Sequence, residues 1–280
     1  MKAPLGHRRA GGRFGVRNHL LVLPSVVCST HVAGEIAAAA DGVGVVHQHG
    51  CLQVGDDLQH SERLLTGVAV NSNVGAVLVV SLGCETLRGA GLAKRIGERG
   101  QTVELVGIQA DGGTAAALEH GREAASRMAA ELLRCTPAEF PREELTVGLD
   151  LPGGDAEAKA IEAAFDAAGI ATVQPPSGID GPEAHVELAA AGAVAIVSRP
   201  PAEEAPMGFA VAPVVAVGHR SELHEAIAED FDISPDPDEE PGALAQRVLA
   251  ATLEHAAGEP TAAESRGSRE FVLRRLAVTM

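Results

Sequence analysis

Four short apolar runs constrain this chain most. Residues 20–24, 43–46, 76–82 and 103–108 are each of strand length, and a stretch of helical pattern follows each one. Strand and helix alternating four times with short connections build an open, doubly wound parallel sheet. Right-handed crossovers bring the four strand ends to one edge. Ligands of such sheets bind beyond the carboxyl ends of the strands. The residues placed there are Cys28, then His47-Gln48-His49-Gly50-Cys51, then Gly83-Cys84-Glu85, then Gln109 and Asp111-Gly112-Gly113-Thr114. Thiols, imidazoles and glycines are therefore expected to converge on one crevice.

The rest of the chain repeats the alternation. Residues 135–144, with Cys135, Pro137 and Pro141, read as a linker. Strands are predicted at 145–149, 170–173, 193–197 and 210–217, and helices at 156–168, 182–191, 221–228 and 242–257. A proline- and acid-rich loop covers 199–206, an acidic break 230–240, and a less regular tail 258–280. The expected architecture is α/β. A Rossmann-like doubly wound parallel sheet fills residues 1–134, and a second, smaller α/β domain fills 145–280. No repeat is evident beyond the alternation itself. With no Trp or Tyr and only 6 Phe, the core must be built from Ala, Val, Leu and Ile, which suits a buried parallel sheet.

The formal charge of −16 repels polyanions, and the scarcity of aromatic rings argues against stacked single-stranded nucleic acid. Low Lys with high Arg and Ala fits a salt-rich cytoplasm and a GC-rich genome equally. No apolar stretch of signal-peptide length precedes Leu20, and no run is long enough to span a membrane. Four cysteines with no local pairing pattern point to reduced thiols in the cytoplasm.

Thiolate and imidazole are the usual ligands of zinc and iron. Cys28, Cys51 and Cys84 lie too far apart for zinc-finger spacing, so their claim rests on equivalent topological positions. A single buried free Cys is ordinarily just a small hydrophobe; three at strand ends are harder to assign to chance. His47 and His49 face opposite sides if the strand end is extended, unless Gly50 turns the chain sharply. Capping explains Asp56 at the next helix start. Residues 1–19 are too rich in Gly and Arg for a regular element. Among Arg8, Arg9, Arg13 and Arg17, Arg17 with Asn18 at the strand entry is best placed to hold a carboxylate. Gly112 and Gly113 ahead of a helix, with Thr114, present N–H groups to an anion. Neither a GxGxxG fingerprint, nor a P-loop, nor a GxSxG elbow is present.

In order, Gly6-His7-Arg8-Arg9, Gly12-Arg13-Phe14-Gly15-Val16-Arg17-Asn18, Cys28, His47, Gly50-Cys51, Gly55-Asp56, Asn73-Val74, Gly83-Cys84-Glu85, Gln109 and Gly112-Gly113-Thr114 resemble the altronate/galactarate dehydratase family. These are the UxaA-type hydro-lyases, which include the large subunit of sulfolactate sulfo-lyase. The likeness covers residues 6–134 and resumes more weakly toward the C-terminus. Where the family carries a Cys-Gly-Gly-Ser-Asp-like motif, this chain reads Leu151-Pro152-Gly153-Gly154-Asp155, without the Cys. The segment that follows is shortened, and no small accessory domain precedes the match.

The resemblance implies a metal-dependent hydro-lyase dehydrating a sugar acid or related hydroxy acid. Cys28, Cys51 and Cys84 would be metal or site thiols, and His47 or His49 the ligand or base. Arg17 would clamp the substrate carboxylate, with Asn18, Gly112, Gly113 and Thr114 also contacting the substrate. The metal would be divalent, iron or manganese ahead of zinc or an iron–sulfur cluster. Partners would be the hydroxy acid, a separate small subunit of the family and further copies of the chain, with no nucleic acid and no membrane. Two alternatives stay open: a truncated, non-catalytic relative acting as a subunit or small-molecule binding protein, and an α/β protein holding a phosphorylated metabolite at Gly112-Gly113.

Overall fold

A computed structural model of the protein describes residues 3–276. The expected domain boundaries at 1 and 280, and the end of the tail, lie outside the described residues.

The first parallel sheet is built from β3 (His19–Pro24), β4 (Val43–Gly44), β5 (Val74–Ser81) and β6 (Val103–Gly107), in the spatial order β4-β3-β5-β6. Its helices are α1 (Thr30–Ala39), α2 (Gly55–Ala69), α3 (Gly89–Glu98) and α4 (Thr114–Leu132). Side chains on a strand alternate between faces, and the two faces receive different helices. Leu20, Val22, Ala76, Leu78 and Val80 share one buried cluster with Val32 and Ile36 of α1 and with Ala117 and Met128 of α4. Leu21, Leu23, Val77 and Val79 pack with Leu64, Leu65 and Val68 of α2 and with Leu92 and Ile96 of α3. Helices thus cover both faces, as the apolar runs predict.

The second sheet repeats that wiring. Its strands β8 (Thr146–Asp150), β9 (Ala171–Val173), β10 (Ala195–Ser198) and β11 (Val214–Ala216) run in the order β11-β10-β8-β9. Numbered within each sheet, both therefore read second-first-third-fourth, a repeat of topology that the sequence does not reveal. One face of the second sheet is covered by α5 (Ala156–Ala167) and α8 (Pro241–Ala256), through Ile161, Phe165, Leu244 and Val248. From the other side, Val186 and Leu188 of α6 (Gly181–Ala190) and Ile196 of β10 join the cluster that contains α2 and α3. The two sheets therefore share one core.

Close backbone approach joins the halves. A Cβ on Gly67 of α2 would lie 2.7 Å from the Ala190 Cβ and 2.9 Å from its Cα. Asn71 Nδ2 donates to the carbonyls of Ala189 and Ala193, both at 2.8 Å. Asn73 Nδ2 donates to those of Val194 at 2.8 Å and Val211 at 3.0 Å.

Three local expectations need correction. Residues 1–19 are not simply a loop: β1 (Leu5–Arg8) and β2 (Phe14–Gly15) pair antiparallel. The expected linker 135–144 contributes β7 (Ala138–Glu139) to the other side of β1. Phe14 stacks on Phe140 at 4.5 Å between centroids, which anchors this small sheet. Short, glycine-rich sequence hid β1 and β2, which pair locally, and β7 was hidden because its partner β1 lies far off in the chain. Asp56 is not the cap of α2 either; that position is Val54, and Asp56 sits in the first helical turn, where the helix dipole favours a carboxylate. Two short helices, α7 (Glu222–Ala226) and α9 (Ala262–Arg266), complete the C-terminal region.

Candidate functional site

In the first sheet the chain leaves β3 toward β4 and then crosses back to β5, so the topological switch point lies between β3 and β5. Crevices at such points receive ligands in open α/β sheets. Beyond β3, Ser25 N–H donates to the Val80 carbonyl and the chain forms a 3₁₀ turn, Val27–Ser29, that carries Cys28. Val27 N–H donates to the His49 carbonyl at 2.9 Å. Gly50 lies at φ 96°, and a Cβ there would sit 2.2 Å from the Ser25 carbonyl oxygen, so only glycine fits this approach. The Gly50 carbonyl in turn accepts from Thr86 at 3.0 Å and Leu87 at 3.1 Å. Gln109 N–H donates to the Leu82 carbonyl, and the Gln109 side chain fills the space where a Gly83 Cβ would be. Backbone contacts thus join the loops bearing Cys28, Cys51, Cys84 and Gln109.

All four cysteines are free and exposed. Beside them stand exposed apolar side chains: Val46 is 65% exposed, Leu52 88% and Val54 75%. Among the described residues, no three His, Cys, Asp or Glu side chains converge to hold a metal ion. Cys28, Cys51 and Cys84, expected as metal or site thiols, belong to no such group among the described residues.

The histidines are buried and fully engaged. His47 Nε2 donates to the Pro24 carbonyl at 2.7 Å, and Nδ1 accepts from His49 N–H at 3.3 Å. Burial lowers its pKa from 6.5 to about 4, so it is neutral at pH 7. His49 Nε2 donates to the Leu273 carbonyl at 2.8 Å, and Nδ1 accepts from Arg275 Nε at 3.4 Å. Neither ring has a free lone pair for a metal or a substrate proton in this arrangement.

Arg17 and Asn18 stand at the opposite edge of the sheet. The six residues of β3, at about 3.3 Å each, put about 20 Å between that edge and the thiols. Arg17 grips Glu264 with Nε and Nη2, while Nη1 donates to the carbonyls of Val16 and His255. Asn18 donates to the Leu132 carbonyl and accepts from Arg9. Gly112 and Gly113, at φ 92° and 119°, lead into α4 near the crevice. Their N–H groups already donate to the carbonyls of Gln109 at 3.3 Å and Ile108 at 2.8 Å, and Thr114 opens the helix, exposed.

The residue to which sequence reasoning gave no role is Glu85. It is 7% exposed and accepts from Ser25 Oγ at 3.0 Å and from the N–H of Gly83 at 2.5 Å and Gly89 at 3.4 Å. Burial alone would push its carboxyl up, but the hydrogen bonds from Gly83, its own N–H, Ser25 and Gly89 outweigh burial and hold it below the ordinary carboxylate range. Its place between Cys84 and the start of α3 was the available signal. A charged, preorganised carboxylate next in sequence to the exposed Cys84 and hydrogen-bonded to Ser25 of the Cys28 loop is what the crevice offers chemically.

Residues 6–133 match the family described as D-galactarate dehydratase/Altronate hydrolase, second domain. The altronate dehydratase of Escherichia coli is 38% identical over 103 residues, which is 33% of this chain and 21% of that protein. The altronate dehydratase of Bacillus subtilis is 37% identical over 91 residues, 29% of this chain and 18% of that protein. The (2R)-sulfolactate sulfo-lyase subunit beta of Chromohalobacter salexigens is 42% identical over 79 residues, 28% of this chain and 20% of that protein. The matches span about a fifth of the length of these curated relatives. The matched region holds the first sheet and all three strand-end thiols.

Proposed function

We propose that this chain, whose residues 6–133 match the family described as D-galactarate dehydratase/Altronate hydrolase, second domain, serves a lyase reaction on a sugar acid or related hydroxy acid, with the ligand at the β3–β5 switch point. The observation that supports this reading is the joining of the Cys28, Cys51 and Cys84 loops by backbone hydrogen bonds, inside the region that matches the family. Loss of a β-hydroxyl requires removal of a proton beside a carboxylate, and Glu85 or one of the strand-end cysteines is the group of this chain nearest that task. Incubation with altronate, galactarate and sulfolactate, followed by detection of the keto acid or sulfite released, tests the reading. Turnover that Cys51→Ala abolishes without unfolding the protein is expected; turnover unaffected by Cys51→Ala places the chemistry elsewhere.

A second reading is favoured by a specific observation. His47, His49 and Arg17 spend their polar atoms internally, while Val46, Leu52 and Val54 stand exposed beside the thiols. In this reading the chain supplies one wall of the site and another chain supplies the rest. Keto acid released only when the family's small partner chain is added distinguishes it from the first reading.

A further inference from the structure

The second sheet has a switch point of its own, between β8 and β10, and it holds a buried polar cluster outside the family match. Asp150 ends β8 and Ser198 ends β10, paired in register. Asp150 Oδ2 accepts from Ser198 Oγ at 2.9 Å and from Gly181 N–H at 3.1 Å. His185 of α6 brings Nε2 to 3.4 Å from the same oxygen. Asp150 and His185 are each 1% exposed. Yet Asp150 Oδ1 and both ring nitrogens of His185 have no hydrogen-bond partner in the protein. Buried polar atoms are ordinarily satisfied, so Asp150 Oδ1 and His185 Nδ1, beside an Nε2 held only by its 3.4 Å contact with Asp150, indicate a missing partner.

These residues line a cavity of about 20 Å³ with Ser198, Pro182, Glu204 and Met207. That is room for one water-sized group, which needs about 10–15 Å³. On the β9 side, a second cavity of about 130 Å³ shares Asp150 and Pro152 as walls and adds Glu162, Gln174 and Ser177. Neither cavity has a Lys or Arg in its lining. Arg199, the nearest cation in sequence, is turned to Asp155 at 2.7 Å and to Glu157. The lining is therefore rich in acceptors and carries carboxylates, so an acid is repelled and a donor cation is favoured. Among the described residues no three His, Cys, Asp or Glu gather to hold a metal ion, whereas a protonated amine needs only acceptors.

We propose that the crevice between the carboxyl ends of β8 and β10 binds a small protonated amine, its ammonium group between Asp150 and His185 and its remainder toward the β9 side. The proposal is independent of the reading of the first sheet. It is tested by titrating ¹⁵N-labelled protein with methylammonium chloride, with tetramethylammonium and potassium chloride at equal ionic strength as controls. Saturable shifts of the Gly181 and Ser198 amides and of the His185 ring nitrogens are expected with methylammonium. The controls, which lack N–H donors, leave them unchanged. Asp150→Asn keeps an acceptor for Gly181 and Ser198 and is expected to weaken binding at least about tenfold. No saturable shift with wild-type protein, or shifts produced by manganese or zinc and not by the amine, overturns the proposal in favour of a buried water or a metal ion.

Discussion

Arg17 and Glu264, 247 residues apart, meet as a parallel fork, with Nε to Oε1 at 2.8 Å and Nη2 to Oε2 at 2.7 Å. Glu264 also closes a capping box with Thr261 at the start of α9. The pair therefore ties the entry of the first sheet to the C-terminal segment. Arg17→Ala is expected to destabilise the protein by about 2–3 kcal/mol in urea unfolding, since it leaves a largely buried carboxylate without its partner. A variant that loses ligand binding at unchanged stability would instead restore Arg17 as a substrate clamp.

Acid stability follows in part from His47 and Glu264. The His47 pKa falls on folding from 6.5 to about 4 through burial, so the unfolded chain binds the extra proton. The stability held by its neutral form is whole above pH 6.5 and is lost as pH falls toward 4, by up to about 3 kcal/mol. Burial pushes Glu264 up, but the hydrogen bonds and charge of Arg17 outweigh it and hold its carboxyl below 4.5. Its contribution is present above pH 4.5 and is lost as pH falls through the depressed folded value. Unfolding measured from pH 8 to 3 is expected to show both stages, and His47→Gln to remove only the His47 share of the first, since burial also lowers the His19 pKa from 6.5 to about 4.

Four thiols are expected to react with a chromogenic disulfide reagent in the native state, without denaturant, because all four are exposed. Cys28→Ala, Cys51→Ala and Cys84→Ala should each change stability by less than about 0.5 kcal/mol. Stoichiometric metal that shields these thiols from the reagent would contradict the separated arrangement.

Asn73 bridges the two sheets through the Val194 and Val211 carbonyls. Asn73→Ala is expected to cost about 2–4 kcal/mol and to make unfolding biphasic, as the halves lose one of their two asparagine links and keep that of Asn71. Coincident far-UV circular dichroism and hydrogen-exchange transitions in the variant would rule out that role.

Gly67→Leu should be worse than Gly67→Ala, since even a Cβ at that position lies within 3 Å of Ala190. Losses of about 1–3 kcal/mol are expected for alanine from overpacking, measured by thermal unfolding.

The alternation of apolar runs determined by itself that the chain is α/β, where its strands end, and that Cys28, Cys51, Cys84 and Gln109 lie along one edge. These are local properties: the period of 2 in a strand and the length of each run decide them. The partners of the candidate residues were decided only by the tertiary structure. Arg17 looked free beside Asn18, but Glu264 claims it; His49 looked poised beside Cys51, but its Nε2–H donates to the Leu273 carbonyl, 224 residues away. The pairing of β7 with β1 was hidden for the same reason, since Gly6 finds Ala138 across the chain. So were the Asp150–His185 cluster and the shared topology of the two sheets. Hydrogen-bond partners of buried groups are chosen by what packing brings near, and sequence spacing carries no record of contacts more than a hundred residues apart.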